Sequence, residues 1–370
     1  MTWADAMGLA VIEGLIIAVL VLTGLRTAIF HSVPTQLKTA IGVGIGLFLA
    51  IIGFVDAGFV RSTGSPSPSI GLGIAGKIIT WLGMVFVVGL LLTIVLVVRK
   101  VKGAILIGIV ATTVLAIVVE AIAKVGSGDD RGWSLNVPRV PEKWLDKPDF
   151  SLLGHFNLFD SWKTAGVVLC AMFVFTLLIT DFFDTIGTMV AVGQEGGLVN
   201  EDGTVPRTRE ILLVDSLAAA AGGAASTSSN TSYIESASGV ASGVAEGART
   251  GVANLLTGVL FLLAMFLAPL VTIVPFEAAA TALVVVGFLM MMGVRNIDWA
   301  DYEIAIPAFL TIVLMPFTYS ISNGIGAGVI TYTLIKLVRG KAREVHPLMW
   351  GVAALFLLYF LRGVTEIMLG

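Results

Sequence analysis

Two acidic clusters set into apolar sequence are the places where this chain could do chemistry. In Ile179-Thr180-Asp181-Phe182-Phe183-Asp184-Thr185-Ile186-Gly187-Thr188 the two aspartates are three apart and share one helix face, which Thr185 and Thr188 extend with hydroxyls. A charged side chain at the centre of a bilayer costs at least ~2.5–3.5 kcal/mol on insertion scales, so such a row must face the interior of a helix bundle. The second cluster, Ala225-Ser-Thr-Ser-Ser-Asn230-Thr231-Ser-Tyr233-Ile-Glu235-Ser-Ala-Ser-Gly239, is small, polar and poor in helix formers. Irregular backbone of that kind is tolerated at membrane depth only where it lines a cavity. Residues 226–233 are therefore expected to be extended and 234–243 to form a half-helix, with its N-terminal N–H groups and the Glu235 carboxylate aimed at a ligand near the midplane. Paired carboxylates in a dry site suit proton exchange at neutral pH, which makes proton coupling an expectation. Asn230 is formally a glycosylation sequon, but no glycosyltransferase reaches that depth.

Other chemistries are poorly served. One cysteine (Cys170) excludes a disulfide framework, and three histidines (His31, His155, His346), all outside the apolar spans, leave little to ligate haem, zinc or an iron–sulfur cluster. No cofactor and no metal are expected, nor a nucleophile–base pair that would make an enzyme. A net charge of -3 spread over loops forms no basic stripe for nucleic acid. Gly71-Leu-Gly73-Ile-Ala-Gly76 matches GxGxxG but follows no strand and enters an apolar span, so it is not read as a dinucleotide site. Asp215 is a second-rank candidate. Glu13, Asp56 and Glu120 are read as interfacial acids near span ends, and no Lys or Arg is close enough in sequence to pair with the central ones.

These residues must be positioned by a helical bundle. The chain of 370 residues is 57% hydrophobic and 13% charged, with a mean hydropathy of +0.98, too apolar for a soluble domain. Apolar segments of spanning length fall at about 6–25, 38–57, 72–98, 103–123, 164–182, 209–224, 250–270, 276–293, 303–320, 323–338 and 348–363, with a weaker one at 226–243. An alternating ten-residue pattern, the mark of a membrane barrel, is absent. Thirteen of the 22 Lys and Arg fall in loops that counting spans puts on one side, taken as cytoplasmic: 26–38, 99–102, 194–210, 244–249, 294–302 and 336–347. The long polar connection at 124–163 is then external.

An internal repeat is also legible. Ser32-Val33-Pro34 leading to Val43-Gly44-Ile45-Gly46-Leu47-Phe48-Leu49 resembles Ile273-Val274-Pro275 leading to Val285-Val286-Gly287-Phe288-Leu289, with the same offset from proline to Gly46 and Gly287. The two copies run in opposite directions across the membrane, the plan of an inverted repeat. Four spans lie between the long loop and Pro275 but one before Pro34. The first repeat is thus three spans short, as an N-terminal truncation or a late start would leave it.

The runs Phe183-Asp184-Thr185-Ile186-Gly187-Thr188, Thr231-Ser-Tyr-Ile-Glu-Ser-Ala-Ser-Gly239, Ala248-Arg249-Thr250-Gly251, Ile297-Asp298-Trp299 and Ile306-Pro307-Ala308-Phe309-Leu310-Thr311-Ile312 resemble the azaguanine-type purine permeases of the nucleobase/ascorbate transporter superfamily. The resemblance implies an all-α polytopic fold of two inverted seven-span repeats, split into core and gate domains, of which about 11–12 spans are present. By that scheme 1–123 is the remainder of the first repeat, 164–270 the core part and 271–338 the gate part of the second, and 339–370 a C-terminal loop and hydrophobic segment. It implies import of adenine, guanine or hypoxanthine with protons across the cytoplasmic membrane. The partners would be a purine base, a proton and membrane lipid, with a homodimer as an assembly. Carried over, the substrate site falls on Asp181, Asp184 and Glu235, with Asn230, Thr231, Tyr233, Phe183 and Thr188 around them and Asp184 and Glu235 in proton coupling. The opposing half-helix that the family's third span supplies has no counterpart here. Carriers of uracil- or xanthine-like bases, ascorbate or sulfate-like anions on the same fold, and a non-transporting fragment, are the alternatives.

Overall fold

The computed structural model describes all residues except 1, 66–68, 75, 79, 129–131, 135, 201–204, 231–235, 246, 249 and 370. It is mostly helical, and among the described residues eight helical stretches are long and apolar enough to cross a membrane. Its contacts divide it into two compact units.

The first unit comprises 1–45, 149–240 and 290–370. Helix α1 (Trp3–Leu22) begins at a capping box: Asp5 N–H donates to Thr2 Oγ1 at 3.3 Å, and Thr2 N–H donates to Asp5 Oδ2 at 2.8 Å. Gly24, at φ +79°, reverses the chain into α2 (Leu25–Ser32), and α3 (Thr35–Asp56) starts just after Pro34. After the strands and helices of the second unit come a short α6 (Asp160–Thr164), the long α7 (Val167–Glu195), and α8 (Thr208–Ala224). Small residues let α1 lie directly on α8: Gly14 meets the backbone of Ala220, and Gly223 meets the backbone of Val11. Helix α9 (Ser236–Ala245) follows an irregular stretch, while α13 (Tyr302–Thr318) and α14 (Ile321–Val338) pair through Gly324 and Gly328, which face Thr311 and Met315. Helix α15 (Pro347–Leu369) packs on α14 and α2, burying Phe356 against Gly326.

The second unit comprises 46–148 and 241–289. Strands β1 (Val60–Ser62) and β2 (Ile70–Leu72) form a small antiparallel hairpin, followed by α4 (Trp81–Val98) and α5 (Ala104–Ala123). These two helices interlock reciprocally. Gly89 on α4 faces Thr112 on α5, and Gly108 on α5 faces Thr93 on α4, while each threonine hydroxyl donates to the glycine carbonyl one turn back in its own helix. The unit closes with α10 (Val252–Ala264), α11 (Ala268–Val271) and α12 (Phe276–Met291).

Several boundaries differ from those read in the sequence. The apolar run at 72–98 is helical only from Trp81, because Gly73 and Gly76 adopt positive φ in a turn; the GxGxxG match lies in that hairpin and turn. The run at 250–270 is broken near Pro269, which starts α11 after a 3-10 turn at 265–267. The long loop is not merely solvated polar chain. Trp133 is 1% exposed, packs on Leu82, Val85 and Ala116, and donates its indole N–H to Glu120 at 3.0 Å. Glu120, read as interfacial, thus pins that loop to the end of α5, with Arg139 at 3.0 Å completing the contact.

Candidate functional site

Helix α7 carries Asp181, Phe182, Phe183, Asp184, Thr185 and Thr188 within its length, and all but Asp184 are buried. Asp184 is half-buried, yet its Oδ1 is sealed from solvent with no hydrogen-bond partner among the described residues. Phe183 packs on Phe182 and, with a ring separation of 4.6 Å, on Phe356 of α15. Thr185 turns toward α8, where its hydroxyl donates to Asp215 Oδ2 at 2.8 Å. Thr188 lies one turn further along, 4% exposed.

Arg26 brings a cation into this cluster from a distant part of the sequence, paired with the second-rank acid Asp215. Gly24 reverses the chain so that the first turn of α2 falls against α8. Arg26 is fully buried there: Nη2 lies 3.3 Å from Asp215 Oδ2, Nη1 donates to Ser216 Oγ at 3.1 Å, and the guanidinium sits 5.2 Å from the centre of the Phe182 ring. Arg26 had been counted among the loop cations that set orientation; it is instead the counter-charge of a buried site. Lys38 from the same set is also buried, its Nζ 4.3 Å from the Phe30 ring centre.

Glu13 is the other correction. Read as interfacial, it sits in the middle of α1 and is 0% exposed, because α1 is covered by both α7 and α8. Its Oε2 accepts from Ser229 Oγ at 3.2 Å, and the buried Asp181 carboxyl lies beside it across the α1–α7 contact. Asp215 likewise moves from second rank to the centre of the cluster.

The polar run after α8 leaves the helix, though not as the extended chain expected. Residues 226–230 are irregular, with Ser226 and Ser228 at positive φ, and the described part of α9 covers Ser236–Ala245. The run is held against α8 where Gly222 leaves room: a Cβ there would lie 2.5 Å from the Ser228 carbonyl oxygen and 2.6 Å from Asn230 Cβ. Ser226 Oγ donates to the His155 carbonyl and accepts from the Trp3 indole, both at 2.9 Å. Asn230 is exposed at the end of this run. Thr231, Tyr233 and Glu235 lie outside the described residues.

Comparison with known proteins shows the family. A family model described as a permease family matches residues 2–327. The chain belongs to the permease family. It is 36% identical over 364 residues to the guanine/hypoxanthine permease PbuG of Bacillus subtilis, covering 97% of this chain and 76% of that protein. It is 37% identical to PbuO of the same organism, covering 96% and 77%, and 33% identical to the adenine permease AdeP of Escherichia coli, covering 96% and 74%. Among solved structures, the transmembrane domain of a cyanobacterial bicarbonate transporter, BicA, superposes with a TM-score of 0.49 at 16% identity, over 88% of this chain and 76% of that one. The permease is a multi-pass membrane protein, in line with its eight candidate spans.

Within this permease, sequence reasoning missed Glu13 and Arg26. Glu13 had a signal of its own: it interrupts Met7–Leu22, where an acid midway along an apolar helix should have counted as intramembrane. Arg26 had none, because its burial depends on the turn at Gly24.

Proposed function

We propose that this permease imports purine nucleobases (adenine, guanine or hypoxanthine) by proton symport. The names of relatives that match along 96–97% of the chain support the substrate class. The observation that carries the site is the Asp184 carboxylate, one oxygen of which is buried with no hydrogen-bond partner among the described residues, on the face of α7 that also carries Asp181 and Thr188. Carboxylates accept from the ring N–H and exocyclic amine of a purine. Backbone N–H groups at the start of a half-helix serve its ring nitrogens and carbonyls.

In this reading Asp181, Asp184 and Glu235 bind the base, Asn230, Thr231 and Thr188 line the site, and Tyr233 or Phe183 lies against the ring face. Protons move through carboxyls of the same cluster, Asp184 and Glu235 among them. The two-repeat plan with core and gate divisions belongs to the same proposal. Uptake of radiolabelled adenine, guanine and hypoxanthine by cells expressing the protein tests it. Accumulation that a protonophore abolishes is expected; no uptake of any purine overturns the substrate, and uptake indifferent to the protonophore overturns the symport.

A further inference from the structure

Glu13 has no place in the substrate assignment above, yet it is the most completely enclosed acid of the cluster. It sits on α1, 0% exposed, with Oε2 held by Ser229 and Oε1 buried with no partner among the described residues. The buried Asp181 carboxyl lies beside it across the α1–α7 contact. Two neighbouring carboxylates in a dry site repel one another and are poorly solvated, so together they favour holding a proton.

Among the described residues, the elements packed on α1 bring these charged groups. Asp181 comes from α7, with Asp184 one turn further on, and Arg26 comes from α2. Helix α8 brings Asp215, which is turned to Arg26 and Thr185. The irregular segment brings the neutral Ser229 hydroxyl, and α6 brings Asp160 and Lys163, paired with each other at 3.7 Å on the exposed surface. Arg26 and Asp215 balance, so the Glu13–Asp181 pair is left to carry either one negative charge with its shared proton or two without it. A second negative charge in a dry site is costly, so the proton leaves only when something compensates for it.

We propose that the Glu13–Asp181 carboxyl pair is the proton-carrying site of this permease, with Glu13 as a coupling residue that does not touch the substrate. The proposal rests on the transport reading above and deepens it. Ser229 supplies the link. It belongs to the irregular run 226–230 that follows α8, so a base that shifts this run alters the hydroxyl that solvates Glu13 and with it the affinity of the pair for its proton. One proton is taken from outside onto the pair and given up inside in each cycle; no covalent bond changes.

Infrared spectroscopy of the purified protein reads the proton without any substrate. A component of the protonated-carboxyl C=O band that is lost in both Glu13→Gln and Asp181→Asn, and kept in Glu13→Asp, is expected; a band unchanged in Glu13→Gln overturns the proposal. In proteoliposomes, Glu13→Gln should exchange labelled for unlabelled hypoxanthine but lose uphill accumulation in a proton gradient, with Glu13→Asp restoring it. Accumulation by Glu13→Gln equal to that of the unaltered protein sinks the proton site and leaves purine transport standing. Absence of exchange in the unaltered protein, with the infrared component intact, sinks the purine reading and supports the carboxyl pair.

Discussion

Arg26 and Asp215 form a salt bridge in which both side chains are sealed from solvent, 0% and 2% exposed, with the guanidinium nitrogen 3.3 Å from the carboxylate oxygen that also takes the Thr185 hydroxyl. Three helices, α2, α7 and α8, therefore converge on one carboxylate. A buried pair adds little net stability compared with apolar residues of the same volume, but removing one member leaves an uncompensated charge.

Arg26→Ala is accordingly expected to destabilise the protein by about 3–5 kcal/mol, and Arg26→Ala combined with Asp215→Ala by less than the sum of the two. Thermal unfolding of the detergent-solubilised protein in a double-mutant cycle measures this. Additive losses would show that the two side chains do not act as a pair.

Asp184 is the test of the base-binding site. Its unpartnered oxygen can take a donor from a ligand, and a hydrogen bond to a charged group is worth about 1.5–3 kcal/mol. Asp184→Asn should then weaken purine binding by roughly tenfold or more while leaving unfolding temperature nearly unchanged. Equilibrium binding of labelled hypoxanthine to the solubilised protein checks both halves; an unaltered affinity would remove Asp184 from the site.

The Glu303 carboxylate anchors a turn rather than a site. Lys336 and Lys341 approach it at 2.7 Å and Arg339 at 3.0 Å, and Lys336 also holds Glu344 at 2.7 Å. Glu303→Gln should free the turn after α14, so trypsin cuts faster after Arg339, Lys341 and Arg343. High salt should move the unaltered protein part of the way in the same direction, because exposed partners are screened. Equal cleavage rates in low salt would show that the turn is held by packing alone.

What the sequence made legible follows from range. The aspartate and threonine face of α7 is set by helical spacing within ten residues, and the irregular run after α8 by local composition, so both could be read directly. The partners of Glu13 and Arg26 could not be read that way. Glu13 meets Asp181 and Ser229, and Arg26 meets Asp215, across sequence separations that only packing closes. The span ends at 72–80 failed for the opposite reason: the residues are apolar enough for a membrane, but two glycines at positive φ favour a turn over a helix start.

Glycines give a final prediction in which identical substitutions should have opposite signs. Gly14 and Gly42 both lie inside apolar helices, where alanine is intrinsically favoured by about 1 kcal/mol. A Cβ at Gly14 would stand 2.5 Å from the Ala220 backbone nitrogen, which belongs to α8 and cannot turn aside like a side chain; a Cβ at Gly42 meets nothing within 4 Å. Gly14→Ala must therefore push α1 away from α8, costing about 1–3 kcal/mol and loosening the contacts that bury Glu13. Gly42→Ala should raise stability by up to about 1 kcal/mol. Unfolding temperatures of the two variants in one detergent decide the matter. If Gly14→Ala matched or exceeded the stability of the unaltered protein, the close approach of α1 to α8 would be wrong, and the enclosure of Glu13 with it.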